Sequence, residues 1–315
     1  MFSLKVVCLK VVVTGGAGFI GSHLAEALAK EGNEVAVLDN LSVGSQNLGV
    51  LKECGTRFFK GDVRSLADVE KAFENADGVF HLAAMNRAMR SIKDPLEAND
   101  VNVTGTLNVL EACRKNGVKR MVFASSSSVY GGGEKTNLED QKLCPLHPYG
   151  VGKLAGEEYC RVYNSLYGLE TTVLRYVSVY GPRQRGDIPY AAVIPKFIKA
   201  ILSGAPLEVF GSGKQKRQFT FVKDTVAGTI AAWKSRKAAG EVFNIAHPAE
   251  SSVLEIASTL EETTGRKAVL KHLPAIPGDP MHNKIDVSKA KKILGFNPAY
   301  PLEDGLRETV EAFLH

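Results

Sequence analysis

The sequence predicts an α/β protein, a doubly wound parallel sheet with a smaller mixed C-terminal domain. Three observations predict it. The run VVVTGGAGFIG at 11–21 joins a β-branched stretch to an amphipathic one through glycines. Strand-like and helix-like patterns then alternate as far as residue 177. Beyond Tyr180 the segment YGPRQR breaks that alternation, and the rest is less regular.

Val11 to Val13 read as the end of a buried parallel strand. Thr14 to Gly18 carry too much glycine to stay extended. Phe19, Ile20, Leu24 and Leu28 fall at helical spacing, so a helix is expected over 19–30, stopped by Gly32. Strand, glycine turn and helix together make a pyrophosphate cradle. Gly15 or Gly16 gives the tight turn, Gly18 lets the backbone approach the phosphates, and Gly21 lets helix and strand pack closely. The helix N-terminus adds unpaired N–H groups and a partial positive charge. A second strand over 34–38 ends at Asp39, about 20 residues beyond the turn, where an acidic side chain holds adenosine ribose hydroxyls. A carboxylate repels a 2′-phosphate, so NAD is expected rather than NADP. The alternative for Asp39-Asn40 is an Asx-type turn.

Composition bounds the function class. The 315 residues suffice for one large or two smaller domains. At 44% hydrophobic and 23% charged residues, the chain reads as a soluble enzyme. A net charge of +5 without a basic, aromatic-studded stripe argues against nucleic acid. Cys8, Cys54, Cys113, Cys144 and Cys160 are odd in number and lack CxxC spacing, so they read as reduced thiols of a cytoplasmic protein, with no metal site expected. The apolar start, interrupted by Lys5 and Lys10, reads as a short extension and first strand rather than a signal peptide. No apolar run is long enough to span a membrane.

Taken in order, 41–49 reads as loop and 57–60 as a strand closed by Gly61-Asp62-Val63-Arg64. Asp62 is suited to an adenine edge or to capping a helix over 66–73. A strand over 78–82 is followed by Ala83 and Ala84, small residues that leave room for a ligand at a strand's carboxyl end. Then come an amphipathic helix over 102–114, closed by Gly117, and a strand over 118–124. Four serines, Ser125 to Ser128, stand where that strand ends. After Pro148, Tyr149-Gly-Val-Gly-Lys153 opens a helix, and i,i+4 spacing projects Tyr149 and Lys153 together. A phenol with pKa about 10 is a poor base at neutral pH, and a nearby ammonium makes it a better one, each unit of lowering being worth about 1.4 kcal/mol. A serine hydroxyl across the site shares the substrate's proton. Further strands are expected over 171–177, 207–210, 219–222 and 241–246, with helices over 193–202, 253–263, 288–294 and 302–314 and a loop over 274–280. The expected domains are 1–177, rejoined by 219–246, and a substrate domain of 178–218 and 247–315.

TGGAGFIG, Asp39-Asn40, Gly61-Asp62, HLAA at 81–84, NVTGTLNVLEA, SSSSVYG, YGVGK, LRYVSVYGPRQ, FGSG at 210–213, Arg217-Gln-Phe and PGD at 277–279 resemble the extended short-chain dehydrogenase/reductase family, with its Rossmann sheet. Within it they resemble the nucleotide-sugar 4-epimerases of the UDP-glucose 4-epimerase kind. The resemblance implies Tyr149 as base, Lys153 as its partner and Ser126 as the catalytic serine. It implies NAD contacts from Gly15, Gly18, Phe19, Ile20, Gly21, Asp39, Asn40, Asp62, Val63, Leu82, Ala83, Ala84, Tyr149 and Lys153. It implies UDP-sugar contacts from Ser126, Ser127, Ser128, Ser178, Arg185, Val193, Phe210, Arg217 and Asn283. Family 4,6-dehydratases carry Asp-Glu where Ser127 and Ser128 stand, so epimerisation is expected. The implied assembly is a homodimer through helices 102–114 and 149–163.

The chain also departs from the family. Ser178 stands for Asn, Gln218 for Asp, Asn86 for a cofactor-contacting Lys, and Ile276 for a phosphate-binding Arg. Asn283 replaces a bulky Tyr, leaving space for an N-acetyl group. Arg185 resembles an arginine that pairs with the carboxylate of UDP-glucuronate. A UDP-glucuronate 4-epimerase and a nucleotide-sugar oxidoreductase are therefore the alternatives, and a non-catalytic NAD sensor is a third.

Overall fold

In a computed structural model the structure describes residues 8–132, 135–275, 281 and 283–314. A seven-stranded sheet forms from β1 (Lys10–Thr14), β2 (Glu34–Asp39), β3 (Arg57–Lys60), β4 (Gly78–His81), β5 (Arg120–Ser126), β6 (Glu170–Tyr176) and a last strand, Val242–Ile245. In space the last strand comes first, followed by β6, β5, β4, β1, β2 and β3. β3, β2, β1, β4 and β5 pair in parallel. The order reverses direction at β1, the switch point beside which open parallel sheets bind ligands. Val11, Val12 and Val13 are wholly buried, each such side chain worth about 1.5–3 kcal/mol on leaving water.

Helix α1 (Phe19–Lys30) buries Leu24, Ala25 and Leu28 and ends beyond Lys30, where Gly32 takes φ +87. Helices α2 (Leu48–Glu53) and α3 (Leu66–Ala72) follow. The cap of α3 is Ser65, whose hydroxyl accepts the Asp68 N–H, so capping does not fall to Asp62. Short helices α4 (Ala88–Lys93) and α5 (Pro95–Asn99) lead through a π-helical turn at Asp100–Thr104 into α6 (Gly105–Lys115). The buried Asn102 amide bonds both the N–H and the carbonyl of Met85, fixing the segment that leaves β4. Helix α7 (Pro148–Tyr167) has Pro148 in its first turn, and Gly168 ends it in the left-handed region.

The chain divides into two compact units. The first is Met1–Val129, Pro145–Arg175 and Thr229–Val242; the second is Tyr130–Cys144, Tyr176–Gly228 and Phe243–His315. The segment that rejoins the first unit is thus 229–242 rather than 219–246, and 130–144 belongs to the second. Within the second unit, Leu207–Phe210 pairs in parallel with Leu270–Leu273, and Lys216–Arg217 pairs antiparallel with Ser251–Ser252. Ser252 and Glu255 form a capping box at the start of helix Val253–Thr264. The segment 219–222, expected as a strand, yields only Thr220–Phe221 before helix Val222–Lys234 begins. The N-terminal extension and Ile276 to Pro280 lie outside the described residues. Among the described residues no helix is long and apolar enough to cross a membrane, and no group of His, Cys, Asp and Glu is arranged to hold a metal.

Candidate active site

The glycine turn lies at the carboxyl end of β1. Gly15 sits at φ +70 and its N–H donates to the Leu38 carbonyl at 2.8 Å. A Cβ on Gly15 would stand 2.7 Å from the Ala83 nitrogen, and one on Gly21 would stand 2.2 Å from the Gly15 oxygen. Gly18 is the N-cap of α1 and offers no side-chain cap. Phe19 and Ile20 form the first helical turn behind it. This cradle, closed to any side chain and leaving the helix N-terminus uncapped by protein, fits a dinucleotide pyrophosphate.

Asp39 ends β2. Its carboxylate accepts the Ala17 N–H at 3.0 Å and the Leu41 N–H at 2.7 Å, tying the second strand to the turn. Burial raises its pKa, and those two N–H bonds oppose the rise. The Asn40 amide donates to Asp62 at 2.8 Å. Asp62 also receives a fork from Arg64, which holds its carboxyl down at about 2. Val63 is buried, and its carbonyl accepts from Asn108. Leu82 and Ala83 donate their N–H groups to the carbonyl and hydroxyl of Thr14, and Ala84 follows them. The sequence reading missed two supports. Asn47 donates to the Ala17 carbonyl at 2.9 Å. His81, wholly buried, bonds Thr14 at 2.7 Å and Thr106 at 3.0 Å, and burial pushes it down to about 3.

The structure brings Ser126, Tyr149 and Lys153 together at the end of β5. The strand runs on through Ser126 and then tightens into a 3₁₀ turn, Ser127–Val129. The Ser126 hydroxyl donates to Ser128 Oγ and accepts the Ser128 N–H, both at 3.1 Å. The same hydroxyl acts to lower the pKa of the Tyr149 phenol, against burial. Tyr149 lies in the first turn of α7, capped by His147, whose Nδ1 accepts the Gly150 N–H. One turn later Lys153 is buried, donates to the Ala124 carbonyl at 2.7 Å, and lies 5.9 Å from the Tyr149 ring centre. Burial brings Lys153 down to about 8, against the pull of Cys160 and Glu157.

Burial raises the Tyr149 phenol, and the Ser126 hydroxyl and the charge of Arg87 oppose that rise. Beneath the site Glu157 is buried in an ion pair with Arg175 at 2.7 Å and accepts the Ser125 hydroxyl at 2.5 Å. The spacing Tyr149, Lys153, Glu157 was the available signal for this support, since all three fall on one helical stripe.

The second unit holds the other expected contacts. Ser178 is exposed with φ +39. Arg185 forks onto Asp187 at 2.9 and 2.7 Å. Val193 opens helix Val193–Ser203, and Phe210, the last residue of its strand, is exposed. Arg217 ends the short strand paired with Ser251–Ser252. Gln218 is buried and bonds the backbone of Ile285 in both directions. Asn283 accepts from the Asn137 amide at 3.0 Å. The Ile276 substitution and the PGD motif lie outside the described residues.

A parallel sheet with a glycine cradle at its switch point, and a serine, tyrosine and lysine grouped at a neighbouring strand end, define a dinucleotide-dependent enzyme of the short-chain dehydrogenase/reductase class. Residues 11–246 match the NAD dependent epimerase/dehydratase family, and the chain belongs to it. It is 39% identical over 313 residues to the uncharacterized UDP-glucose epimerase YtcB of Bacillus subtilis (strain 168), covering 96% of this chain and 97% of that one. Among solved structures it is similar to UDP-N-acetylglucosamine 4-epimerase from Methanobrevibacter ruminantium M1 in complex with UDP-N-acetylmuramic acid, with TM-score 0.92, 37% identity and 98% of each chain covered. It is also similar to UDP-glucuronic acid 4-epimerase from Bacillus cereus in complex with UDP-glucuronic acid and NAD, with TM-score 0.90, 36% identity, and 97% of this chain and 99% of that one covered.

Proposed function

We propose that this protein is an NAD-dependent 4-epimerase of a UDP-hexose, UDP-glucose/UDP-galactose or their N-acetyl forms, working through a 4-keto sugar. The observation that carries the reading is the placing of Tyr149 one turn from Lys153 on α7, which packs on the strand that ends at Ser126, with a turn whose glycines leave no room for a Cβ at the end of β1. Gly15, Gly18 and Gly21 hold the pyrophosphate, Asp39 the adenosine ribose and Lys153 the nicotinamide ribose. When bound, NAD takes a hydride from the sugar's C4 and gives it back on the other face. Tyr149 removes the 4-OH proton and later returns it, while Ser126 holds the same oxygen by hydrogen bond. Ser127 and Ser128 bring no acid or base to C5 and C6, which separates this site from a dehydrating one. Arg217 and Phe210 are assigned to the UDP end and Asn283 to the sugar pocket.

Purified protein supplied with UDP-glucose is expected to form UDP-galactose with no net accumulation of NADH. Tyr149→Phe is expected to retain NAD and lose turnover. Sustained turnover by Tyr149→Phe, or net NADH release, would overturn the reading.

Arg185 supports a second reading, a UDP-glucuronate 4-epimerase. Its guanidinium already clasps a carboxylate, that of Asp187, in an exposed pair worth at most about 1 kcal/mol. A sugar carboxylate could therefore displace Asp187. Unchanged kinetics of Arg185→Ala on UDP-glucuronate would remove this reading.

A homodimer in a reducing, cytoplasmic setting completes the proposal. Exposed Leu96, Val151, Leu166 and Tyr167 on α5 and α7 supply apolar surface for the contact, and the five free thiols suit such a compartment. Light scattering showing a monomer at micromolar concentration would refute the dimer.

A further inference from the structure

Phe123 is the last large side chain of β5 before the serines, and it is wholly buried. The Lys153 ammonium stands over its ring, 4.8 Å from the ring centre. A cation is attracted to an aromatic face within about 6 Å. The Tyr149 ring is further off, at 5.9 Å. Lys153 is 3% exposed, and its ammonium makes one hydrogen bond among the described residues, to the Ala124 carbonyl at 2.7 Å. A buried ammonium with N–H groups to spare loses its proton easily unless its surroundings favour the charge.

Two neighbours hold the ring in place. A Cβ on Gly156, three residues beyond Lys153, would stand 2.5 Å from the ring Cζ and 2.8 Å from Cε1. Glycine weakens a helix interior relative to alanine, and here it lets α7 lie directly on the ring. From β4, His81 stacks against Phe123 with 5.6 Å between ring centres and 29° between planes. Thr14 and Thr106 pin the His81 ring at both nitrogens. The Phe123 ring therefore cannot turn away without displacing α7 or breaking buried hydrogen bonds.

We propose that Phe123 is a positioning residue for Lys153, the face of its ring keeping the ammonium charged and aimed at the end of β5. The inference rests on the proposed function in assigning the nicotinamide ribose to Lys153. An aromatic face attracts the ammonium without accepting a hydrogen bond from it in the ordinary way. With one N–H on the Ala124 carbonyl, two stay available for ribose hydroxyls. A carboxylate in the place of the ring would take up at least one of them.

The titratable groups around α7 act on Lys153 in other ways. Burial lowers it, and Cys160 and Glu157 on its own helix oppose that, Glu157 while paired with Arg175 of β6. His81 is neutral, and so is the Cys113 thiol of α6, which burial raises. Burial raises the Tyr149 phenol, so it is neutral at pH 7. Arg90 on α4 faces Glu97 on α5 at 3.4 Å, and Asp100 on the π-helical turn is exposed.

The test is an NMR titration of the Lys153 ammonium in NAD-loaded protein labelled at lysine Cε, with Lys153→Arg to assign the signal. The pH dependence of kcat/KM is measured alongside. Phenylalanine carrying one, two or three ring fluorines, placed at position 123, keeps an apolar ring and draws negative charge off its face. The Lys153 pKa is expected to fall stepwise with each fluorine, by about one unit in the trifluoro form. The ammonium then sheds its proton at lower pH, and the alkaline limb of kcat/KM moves down in step. Should the trifluoro form fold poorly, the first two steps make the same comparison. The same series at Phe80, a wholly buried ring of β4 that packs on Trp233 at 5.1 Å, is expected to leave Lys153 unmoved. A Lys153 pKa indifferent to fluorination at 123, or shifted equally by fluorination at 80, would overturn the proposal. Absence of epimerisation in the parent would sink the epimerase reading, whereas the lysine titration judges Phe123 by itself.

Discussion

Glu157→Gln tests how the fold supports Lys153. In the structure Glu157 and Arg175 are 5% and 3% exposed, and their pair is nearly dry. Arg175 Nη2 meets Oε2 at 2.7 Å, and its Nε reaches Oε1 at 3.0 Å. Removing one charge leaves the other buried and uncompensated, at a cost of about 3–5 kcal/mol. Glutamine keeps the shape and can still accept from Ser125, so the loss is electrostatic rather than a cavity. The same substitution acts on Lys153. That ammonium stands at about 8, lowered by burial and held up in part by Glu157. Without the carboxylate its pKa falls further and it sheds its proton at a lower pH. The alkaline limb of kcat/KM is therefore expected to move to lower pH. Urea unfolding measures the first effect and a pH–rate profile the second. The double variant Glu157→Gln/Arg175→Met removes both buried charges and is expected to recover most of the lost stability. A stability loss under about 1 kcal/mol together with an unmoved alkaline limb would refute the reasoning.

Two further outcomes follow from the geometry. In Gly21→Ala the new methyl would lie 2.2 Å from a backbone oxygen, and no flexible side chain can yield. Strain of about 1–3 kcal/mol, and with it a loss of NAD affinity of about 5- to 150-fold, are expected by calorimetry; Gly49→Ala in α2, with nothing within 4 Å of its methyl, should leave NAD binding intact. His81 is held near 3, below its unfolded value near 6.5. The unfolded chain takes up its proton first as pH falls, so stability is lost from pH 6.5 down towards 3, by about 2 kcal/mol at pH 5. His81→Gln should flatten that part of the urea-midpoint curve, and an unchanged slope would count against this assignment.

The nucleotide half of the chain was legible because its signals are local and strong. β-branched runs beside glycines located β1, α1 and β2 within a residue or two, the aromatic RFFK run before Gly61 located β3, and YxxxK after a proline located α7. What escaped had weak or misleading periodicity. Helices α4 and α5 expose Met89, Ile92 and Leu96, so no apolar stripe marks them as facing a core. In helix Val222–Lys234 the preceding aromatic and β-branched residues read as a longer strand. Strand Leu270–Leu273 is largely exposed, and its residues alternate in no recognisable way.

In the site, residue types and spacing singled out Tyr149 and Lys153, and the resemblance to the family singled out Ser126 from the four serines. They could not reveal that the Lys153 ammonium donates to the Ala124 carbonyl, because that contact depends on how α7 packs on β5. Nor could they show the buried Glu157–Arg175 pair, whose partners are 18 residues apart.

The account's central claim is reversible oxidation at one sugar carbon with no loss of the hydrogen that leaves it. Turnover of UDP-glucose carrying deuterium at C4, followed by NMR in ordinary water, tests it most directly. UDP-galactose that keeps the deuterium at C4 is the predicted result. Label washed out to solvent, or a product other than the C4 epimer, would contradict it.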